Sequence, residues 1–74
     1  MYFKRLKDLR EDKDMYQKQI ANILNIHQQN YSRYETGEKT MPIEKLIILA
    51  DFYDTTIDYI VGRTNIKNKK DYLN

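Results

Sequence analysis

Four polar side chains near the middle of the chain have types and a spacing suited to reading hydrogen-bonding groups on a partner. Gln28 and Gln29 are adjacent amides, and Ser32 and Arg33 follow one helical turn later. On a helix, residues four apart lie on the same face, so all four would be presented together. An amide can bond adenine through two hydrogen bonds, and an arginine can bond guanine in the same way. This group is the candidate base-reading surface.

The second of two short helices must carry these side chains. Apolar periodicity predicts one helix from about residue 15 to 24 and another over residues 28–36. Asn25 and Gly37 follow them, and both residue types favour the left-handed conformation that ends a helix. Ala21 has the small side chain that a close helix crossing needs. Two short helices joined by a tight turn form a helix-turn-helix.

Three further helices are predicted around this pair. The first carries an apolar residue at every third position from Phe3. The fourth begins at Pro42 and is the most apolar, so we expect it to be central. Thr56 is a good N-cap for a short last helix that ends at Gly62. The prediction is an all-α, compact five-helix domain over residues 1–63.

The composition excludes several classes of protein. The chain has 74 residues, enough for one domain, with 41% hydrophobic and 32% charged residues and a net charge of +2. With no cysteine and one histidine, we expect no metal site, no cofactor and no enzymatic activity. The longest apolar run is too short to span a membrane, and no leader segment is apparent at the start. The expected location is therefore the cytoplasm.

Charge is distributed unevenly along the chain. Residues 1–40 carry eight basic and six acidic side chains, whereas residues 41–63 carry two basic and four acidic. An anionic partner would meet the first half. Residues 64–74 form a polar, lysine-rich tail, which we expect to be flexible or dimer-associated, with Ile66 and Leu73 among its apolar anchors.

Three groups of residues together resemble a known family, and the resemblance covers about residues 3–63. They are Gln17…Ala21…Asn25-Ile26, the run Ser32-Arg33-Tyr34-Glu35 followed by Gly37, and the segments 41–50 and 56–62. Their order and spacing are similar to the phage Cro/repressor-type (Xre-like) helix-turn-helix. The resemblance implies a lambda-repressor-like DNA-binding domain that acts as a dimer on a two-fold-related operator. It also implies that the helix beginning at Gln28 enters the major groove.

The resemblance implies roles for individual residues. Gln28, Gln29 and Arg33 match base-reading positions, and Ser32 lies between them. Gln17 matches a phosphate-clamping amide, and Lys39 lies in the loop that follows the DNA backbone. Tyr16 and His27, each just before a helix, are further candidate phosphate contacts. Arg10 and Glu35 match a pair that ties the first helix to the third.

The sequence departs from the family pattern at two helix starts. The family favours Thr or Ser at the position of Tyr16, where the side chain caps the second helix, so we expect Asp14 to cap instead, with Gln17 three residues on. The usual Ser or Thr before the third helix is His27 here. Arg33 has open alternatives: it reads bases, binds phosphate or pairs with a neighbouring carboxylate. Ser32 either touches DNA or only makes room for it.

Two function classes follow from these residues. The first is a sequence-specific, double-stranded-DNA-binding transcriptional regulator, most simply a repressor acting as a homodimer. The second is a protein-interaction module of the antitoxin-like or antirepressor-binding kind, built on the same fold, with a protein partner in place of DNA. The absence of acidic residues from Gln28 to Tyr34 favours the first class.

Overall fold

Helices are the only regular secondary structure within the part of the chain, residues 1–72, that the computed structural model describes. In chain order they are α1 (Lys4–Asp12), α2 (Gln17–Leu24), α3 (Gln28–Thr36), α4 (Ile43–Phe52), α5 (Ile57–Ile60) and α6 (Lys69–Tyr72). The predicted all-α class is confirmed. The tail adds α6 to the five predicted helices, and Leu73, one of its expected anchors, lies outside the described residues.

Helices α1 to α5 share one hydrophobic core. Full burial of a leucine or isoleucine side chain stabilises a fold by about 1.5–3 kcal/mol, so this cluster supplies the main driving force for folding. Its buried members are Phe3, Leu6, Leu9, Ile20, Ala21, Leu24, Tyr31, Met41, Leu46, Leu49, Ala50, Tyr53 and Ile60.

The expectation that α4 is central is met only in part, because the helix is buried on one side and exposed on the other. Its Leu46, Leu49 and Ala50 are buried, because this side packs against α2 and α5. Its other apolar residues are 37–53% exposed: Ile43, Ile47, Ile48 and Phe52. A helix with apolar residues on most sides is usually buried all round. Here the excess apolar residues instead leave an exposed apolar surface on α4.

The predicted helix ends hold at three positions. Asn25 ends α2 with a φ of 56°, and Gly37 ends α3 with a φ of 82°, both in the left-handed region. Thr56 caps α5, since its Oγ1 accepts a hydrogen bond from the Tyr59 N–H at 3.0 Å. Asn25 and Gly37 thus set the short connections before and after α3, and Thr56 sets the start of α5.

Gly37 is required for a second reason besides its backbone conformation. A Cβ at this position would lie 2.8 Å from the Cβ and 3.0 Å from the Cα of Tyr2. The chain preceding α1 therefore crosses directly over the end of α3. Gly62 has a similar φ of 87°, but a Cβ there would meet nothing within 4 Å.

A buried ion pair joins α1 to α3, as the resemblance implied. Arg10 Nε donates to Glu35 Oε2 at 2.7 Å, and a terminal guanidinium nitrogen donates to Glu35 Oε1 at 3.1 Å. Only 12% of the Arg10 side chain and 4% of the Glu35 side chain are exposed. Arg10 also donates to the Met15 carbonyl at 2.9 Å, which fixes the chain just before α2. The Arg10 guanidinium therefore ties α1 both to α3 and to the segment that precedes α2.

The environment of Glu35 keeps its carboxylate ionised. Burial by itself raises the pKa of Glu35, but the hydrogen bonds that the carboxylate accepts, those from Arg10 foremost, together with the Arg10 charge outweigh burial and hold the pKa below its ordinary value of 4.5. Burial, together with the adjacent carboxylate, raises the pKa of Tyr31, so its phenol stays neutral beside the pair. The charge of Glu35 is thus balanced inside the protein.

The tail lies along the domain through several polar contacts. Arg5 donates to the Tyr59 carbonyl at 2.8 Å and to Asn65 Oδ1 at 2.6 Å, and its guanidinium lies 4.0 Å from the Tyr59 ring centroid. Lys67 pairs with Asp12 at 2.8 Å, and the Tyr72 hydroxyl donates to the Asp58 carboxylate. Whether residues 64–74 are flexible or take part in a dimer remains a prediction.

We predict that Glu35→Ala lowers the free energy of unfolding by about 3–5 kcal/mol, because it leaves the Arg10 charge buried and unpaired. Thermal denaturation followed by circular dichroism measures the loss. Asp8→Ala is the matched control, since Asp8 belongs to an exposed pair with Lys4, for which a loss of about 0.3–0.5 kcal/mol is typical. Equal losses in the two variants would contradict a structural role for the buried pair.

The same pair predicts a pH dependence of stability. Because the folded pKa of Glu35 is lowered, its stabilisation is fully present above the ordinary value of 4.5 and is lost as pH falls through the folded pKa. The stability difference between wild type and Glu35→Gln should therefore shrink in acid. A difference that stays constant down to the acid transition would show that Glu35 is not stabilised as a carboxylate.

We predict that Gly37→Ala destabilises the fold more than Gly62→Ala does. Both changes force alanine into the left-handed region, at a cost of about 1–2 kcal/mol. Only Gly37→Ala also collides with Tyr2, which adds about 1–3 kcal/mol. Chemical denaturation of both variants measures the difference, and equal losses would contradict the close contact between α3 and the first residues.

Candidate nucleic-acid interface

Helix α3 presents a polar surface to solvent. Gln28, Gln29 and Arg33 are exposed and Ser32 is half-buried, while Tyr31 and Glu35 turn inward. We call Gln28, Gln29, Ser32 and Arg33 the polar face of α3. Because the only acidic residue of α3 is buried against Arg10, this face offers amides, a hydroxyl and a cation without an opposing carboxylate of its own helix. Such side chains match the hydrogen-bonding groups on base edges in the major groove.

The turn between α2 and α3 sets the direction of the polar face. Asn25 takes the left-handed conformation, and the Ile26 N–H returns to the Ala21 carbonyl at 3.0 Å. Ala21 is 1% exposed, so the two helices approach closely at a residue with no side chain beyond Cβ. Leu24 and Tyr31 pack at the same junction. The left-handed turn at Asn25 and the small side chain of Ala21 thus set the angle between α2 and α3.

The start of α3 has no side-chain cap. His27 is the N-cap residue in an extended conformation, and its side chain makes no capping hydrogen bond. This agrees with the departure from Ser or Thr seen in the sequence. The backbone carbonyl of His27 accepts from Asn30 and Tyr31 instead. The imidazole is exposed beside the first turn of α3, where orphan backbone N–H groups favour an anion.

The expectation that Asp14 caps α2 is wrong. Tyr16 is the N-cap residue, and Asp14 lies earlier, in a left-handed turn with a φ of 54°. The helix start is stabilised by Gln19, whose Oε1 accepts from the Tyr16 N–H at 2.8 Å. This is one half of a capping box, in which the residue at the third helical position reaches back to the N-cap. The sequence does not indicate this contact, because a capping box usually begins with Ser or Thr and position 16 is a tyrosine.

Gln17 and Tyr16 lie at the start of α2 but differ in how free their side chains are. Gln17 Nε2 donates to Glu35 Oε1 at 3.1 Å, so this amide is coupled to the buried ion pair. Tyr16 is 77% exposed. A phosphate oxygen accepts hydrogen bonds and does not donate them. Gln17 would therefore contact a phosphate through its second amide N–H and not through its amide carbonyl. Both residues remain predicted phosphate contacts.

Arg33 and Lys39 mark the other end of α3. Arg33 Nε lies 3.7 Å from Glu38 Oε2, so the alternative of a pair with a neighbouring carboxylate applies in the free protein. The Lys39 N–H donates to the Arg33 carbonyl at 3.1 Å and closes the helix end, while the Lys39 side chain is exposed. Sequence reasoning did not single out Glu38, because a surface carboxylate next to a glycine has no distinguishing pattern.

The structure therefore groups the candidate residues in two ways. The polar face shares one helix, and Gln17 is joined to that helix through Glu35. Tyr16, His27 and Lys39 are exposed residues at the ends of α2 or α3. Base reading and phosphate binding by all eight stay predictions. Within residues 1–72 no helix is long and apolar enough to cross a membrane, and no cluster of three or more metal-ligating side chains occurs.

Comparisons with known proteins agree with this geometry. Residues 6–60 match the family model described as "Helix-turn-helix". That range begins in α1 and ends with α5, so it includes α2, α3 and the core that holds them.

Several curated relatives are transcriptional regulators. The chain is 38% identical over 80 residues to the HTH-type transcriptional regulator YobD of Bacillus subtilis, covering 99% of this chain and 71% of that protein. It is 32% identical to the cryptic phage CTXphi transcriptional repressor RstR of Vibrio cholerae, covering 93% and 64%. It is also 32% identical to the antitoxin PezA of Streptococcus pneumoniae, covering 92% and 43%. The chain thus spans less than two thirds of the length of the last two.

A solved structure shows the same arrangement of helices. The crystal structure of a transcriptional regulator from Listeria innocua superimposes with a TM-score of 0.78 at 34% identity, covering 84% of this chain and 58% of that one. The family match spans more than half of the chain, and the relatives carry regulator names over the same region. The chain belongs to the helix-turn-helix family of DNA-binding transcriptional regulators.

Proposed function

We propose that this chain is a sequence-specific, double-stranded-DNA-binding repressor that acts as a homodimer on a two-fold-related operator. The observation that carries the proposal is the polar face of α3, exposed on a helix whose inner side is fixed by a buried ion pair. Amide and guanidinium groups held on a rigid helix give directional hydrogen bonds to base edges. The similarity to a phage transcriptional repressor supports repression as the mode of action.

Phosphate contacts supply affinity and register, and the polar face supplies sequence choice. Tyr16, Gln17, His27 and Lys39 are the proposed phosphate contacts, because they lie at the ends of α2 and α3. With a net charge of +2, one copy of the domain binds DNA weakly. Two copies on one operator double the set of contacts, so dimer formation and tight binding are coupled.

The proposed dimer surface includes the side of α4 that carries Ile47, without Ile48, and the adjoining α5. Ile47 and Ile57 line a groove of about 270 Å³ between these helices and α6, with Asp51, Asp58 and Lys69 among the polar residues around it. Ile47 is 48% exposed. Burial of such residues against a second copy removes apolar surface from water. Most of the residues that line the groove belong to the acidic segment 41–63, whereas the polar face of α3 belongs to the basic half.

A protein-interaction module is the second candidate function. The exposed apolar residues of α4 favour it, because such surfaces mark protein contacts. The similarity to an antitoxin supports the same reading. In that case the α4 surface grips a different protein, and the polar face of α3 has at most a secondary role.

We predict that selection from a random duplex-DNA pool recovers a two-fold-symmetric site. The double variant Gln28→Ala, Gln29→Ala should lose the sequence preference while keeping the melting temperature, because both side chains are exposed. Each good bidentate amide contact contributes about 1–3 kcal/mol of discrimination. Recovery of no preferred sequence by the wild type would contradict sequence-specific binding.

A salt titration of the selected duplex separates the two candidate functions. With about 6–10 phosphate contacts, affinity should fall about a thousandfold or more between about 50 and 200 mM salt. A salt-insensitive complex, or no DNA complex at all, favours the protein-interaction module.

We predict that Ile47→Asn lowers the dimer fraction and weakens operator binding, because it places an amide in the proposed apolar interface. Ile48→Asn is the matched control: Ile48 is an exposed isoleucine on the same helix, about 100° further round it. Light scattering at tens of micromolar, with and without the operator duplex, gives the oligomeric state. A wild-type monomer under both conditions, or equal effects of the two variants, would contradict this interface.

A further inference from the structure

Glu38 is placed beside the one basic residue of α3. The segment from Gln28 to Thr36 contains a single cation, Arg33, and its Nε lies 3.7 Å from Glu38 Oε2. Both side chains are largely exposed, at 45% and 67%. The carboxylate therefore lies next to the polar face, on the side where the proposed function puts an anionic duplex.

The loop that carries Glu38 is held in place by hydrogen bonds that lead to the backbone carbonyl of Arg33. The Glu38 N–H donates to Thr36 Oγ1 at 3.4 Å, and that hydroxyl donates to the Arg33 carbonyl at 3.2 Å. The Lys39 N–H donates to the same carbonyl at 3.1 Å. With Gly37 in the left-handed conformation, the loop turns back over the last turn of α3 and brings Glu38 to Arg33.

The atom that Glu38 approaches matters for recognition. At 3.7 Å the contact between Nε and the carboxylate is longer than a hydrogen bond, so the N–H groups of Arg33 remain available to a base edge. Arg reads guanine through two hydrogen bonds, to O6 and N7, and the terminal nitrogens can form them in an end-on approach. A guanidinium that is drawn to one position by a nearby carboxylate loses less rotational freedom when it binds a base edge in this way.

We propose that Glu38 is a specificity-determining residue that positions Arg33 for base reading and lowers affinity for non-cognate DNA. Non-cognate binding is almost entirely electrostatic, so a carboxylate next to the backbone weakens it at every sequence. On the cognate site the pair persists at Nε while the terminal nitrogens bond the base. Glu38 therefore widens the ratio between cognate and non-cognate affinity. This inference rests on the proposed function.

The experiment compares affinities for two duplexes, the site selected from the random pool and a shuffled duplex of equal length and composition. Fluorescence anisotropy at one fixed salt concentration measures wild type, Glu38→Gln and the control Asp54→Asn. Asp54 lies in the turn after α4 with a φ of 54°, a conformation that asparagine also adopts readily. Both variants raise the net charge equally, and only one removes the partner of Arg33.

For Glu38→Gln we expect affinity for the shuffled duplex to rise about two- to fivefold, the range that an exposed ion pair supports. Affinity for the selected duplex should stay level or fall. The ratio of the affinity for the selected duplex to the affinity for the shuffled duplex therefore falls. Asp54→Asn should leave the ratio unchanged. In an Arg33→Gln background, Glu38→Gln should no longer narrow the ratio, because the positioning acts through Arg33.

The outcomes separate this inference from the proposed function. If the wild type prefers a duplex but Glu38→Gln and Asp54→Asn change both affinities alike, the role of Glu38 is wrong and sequence-specific binding stands. If Glu38→Gln narrows the ratio equally with and without Arg33, Glu38 does not position Arg33. If the wild type prefers no duplex, both proposals are overturned.

Discussion

The buried ion pair between Arg10 and Glu35 is the interaction on which the rest of this small structure depends. A charge taken out of water must be paired and hydrogen-bonded, or its burial costs several kcal/mol. The 2.7 Å and 3.1 Å contacts satisfy that requirement, and they can form only when α3 lies at one angle to α1. Because Gln17 and the Met15 carbonyl join the same network, the start of α2 is tied to that angle as well.

This pair also removes an electrostatic obstacle to the DNA contact that we propose for α3. An exposed glutamate in α3 would repel phosphate, yet Glu35 is 5% exposed and its charge is balanced by Arg10. The polar face on the opposite side of the helix is thereby free to present amides and Arg33. Glu38 is a carboxylate that remains next to this face. Because it lies beside Arg33, we propose that it positions Arg33, which a carboxylate elsewhere on the surface would not do.

The two halves of the domain present different chemistry. Helices α1 to α3 contain the basic half, with the polar face and the candidate phosphate contacts. Helices α4 and α5 belong to the acidic half, and α4 exposes apolar side chains that the core does not cover. A 74-residue chain has a large surface for its volume, so apolar residues beyond the needs of one core stay at the surface.

Short-range patterns made much of this protein predictable from its residues. The apolar periodicity, Asn25, Gly37 and Thr56 locate the helices and their ends, because the left-handed turn and the N-cap are decided by neighbouring residues. Base-reading candidates follow from residue type and helix register. The exposure of Ile47 and Phe52, the reach of Gln19 to Tyr16 and the placement of Asp14 did not follow from the sequence.

Those features depend on which side of a helix faces its neighbours, and on which of several competing hydrogen bonds the backbone geometry permits. Apolar content alone cannot distinguish a helix buried on all sides from one packed on a single side, as α4 is. Likewise, the pairing of Arg33 with Glu38 requires the loop after Gly37 to turn back over α3, a path set jointly by the left-handed glycine and by the packing of Tyr2 against it. Neighbouring residues in the sequence determined where each helix begins and ends, whereas the packing of the helices determined which of their surfaces are exposed.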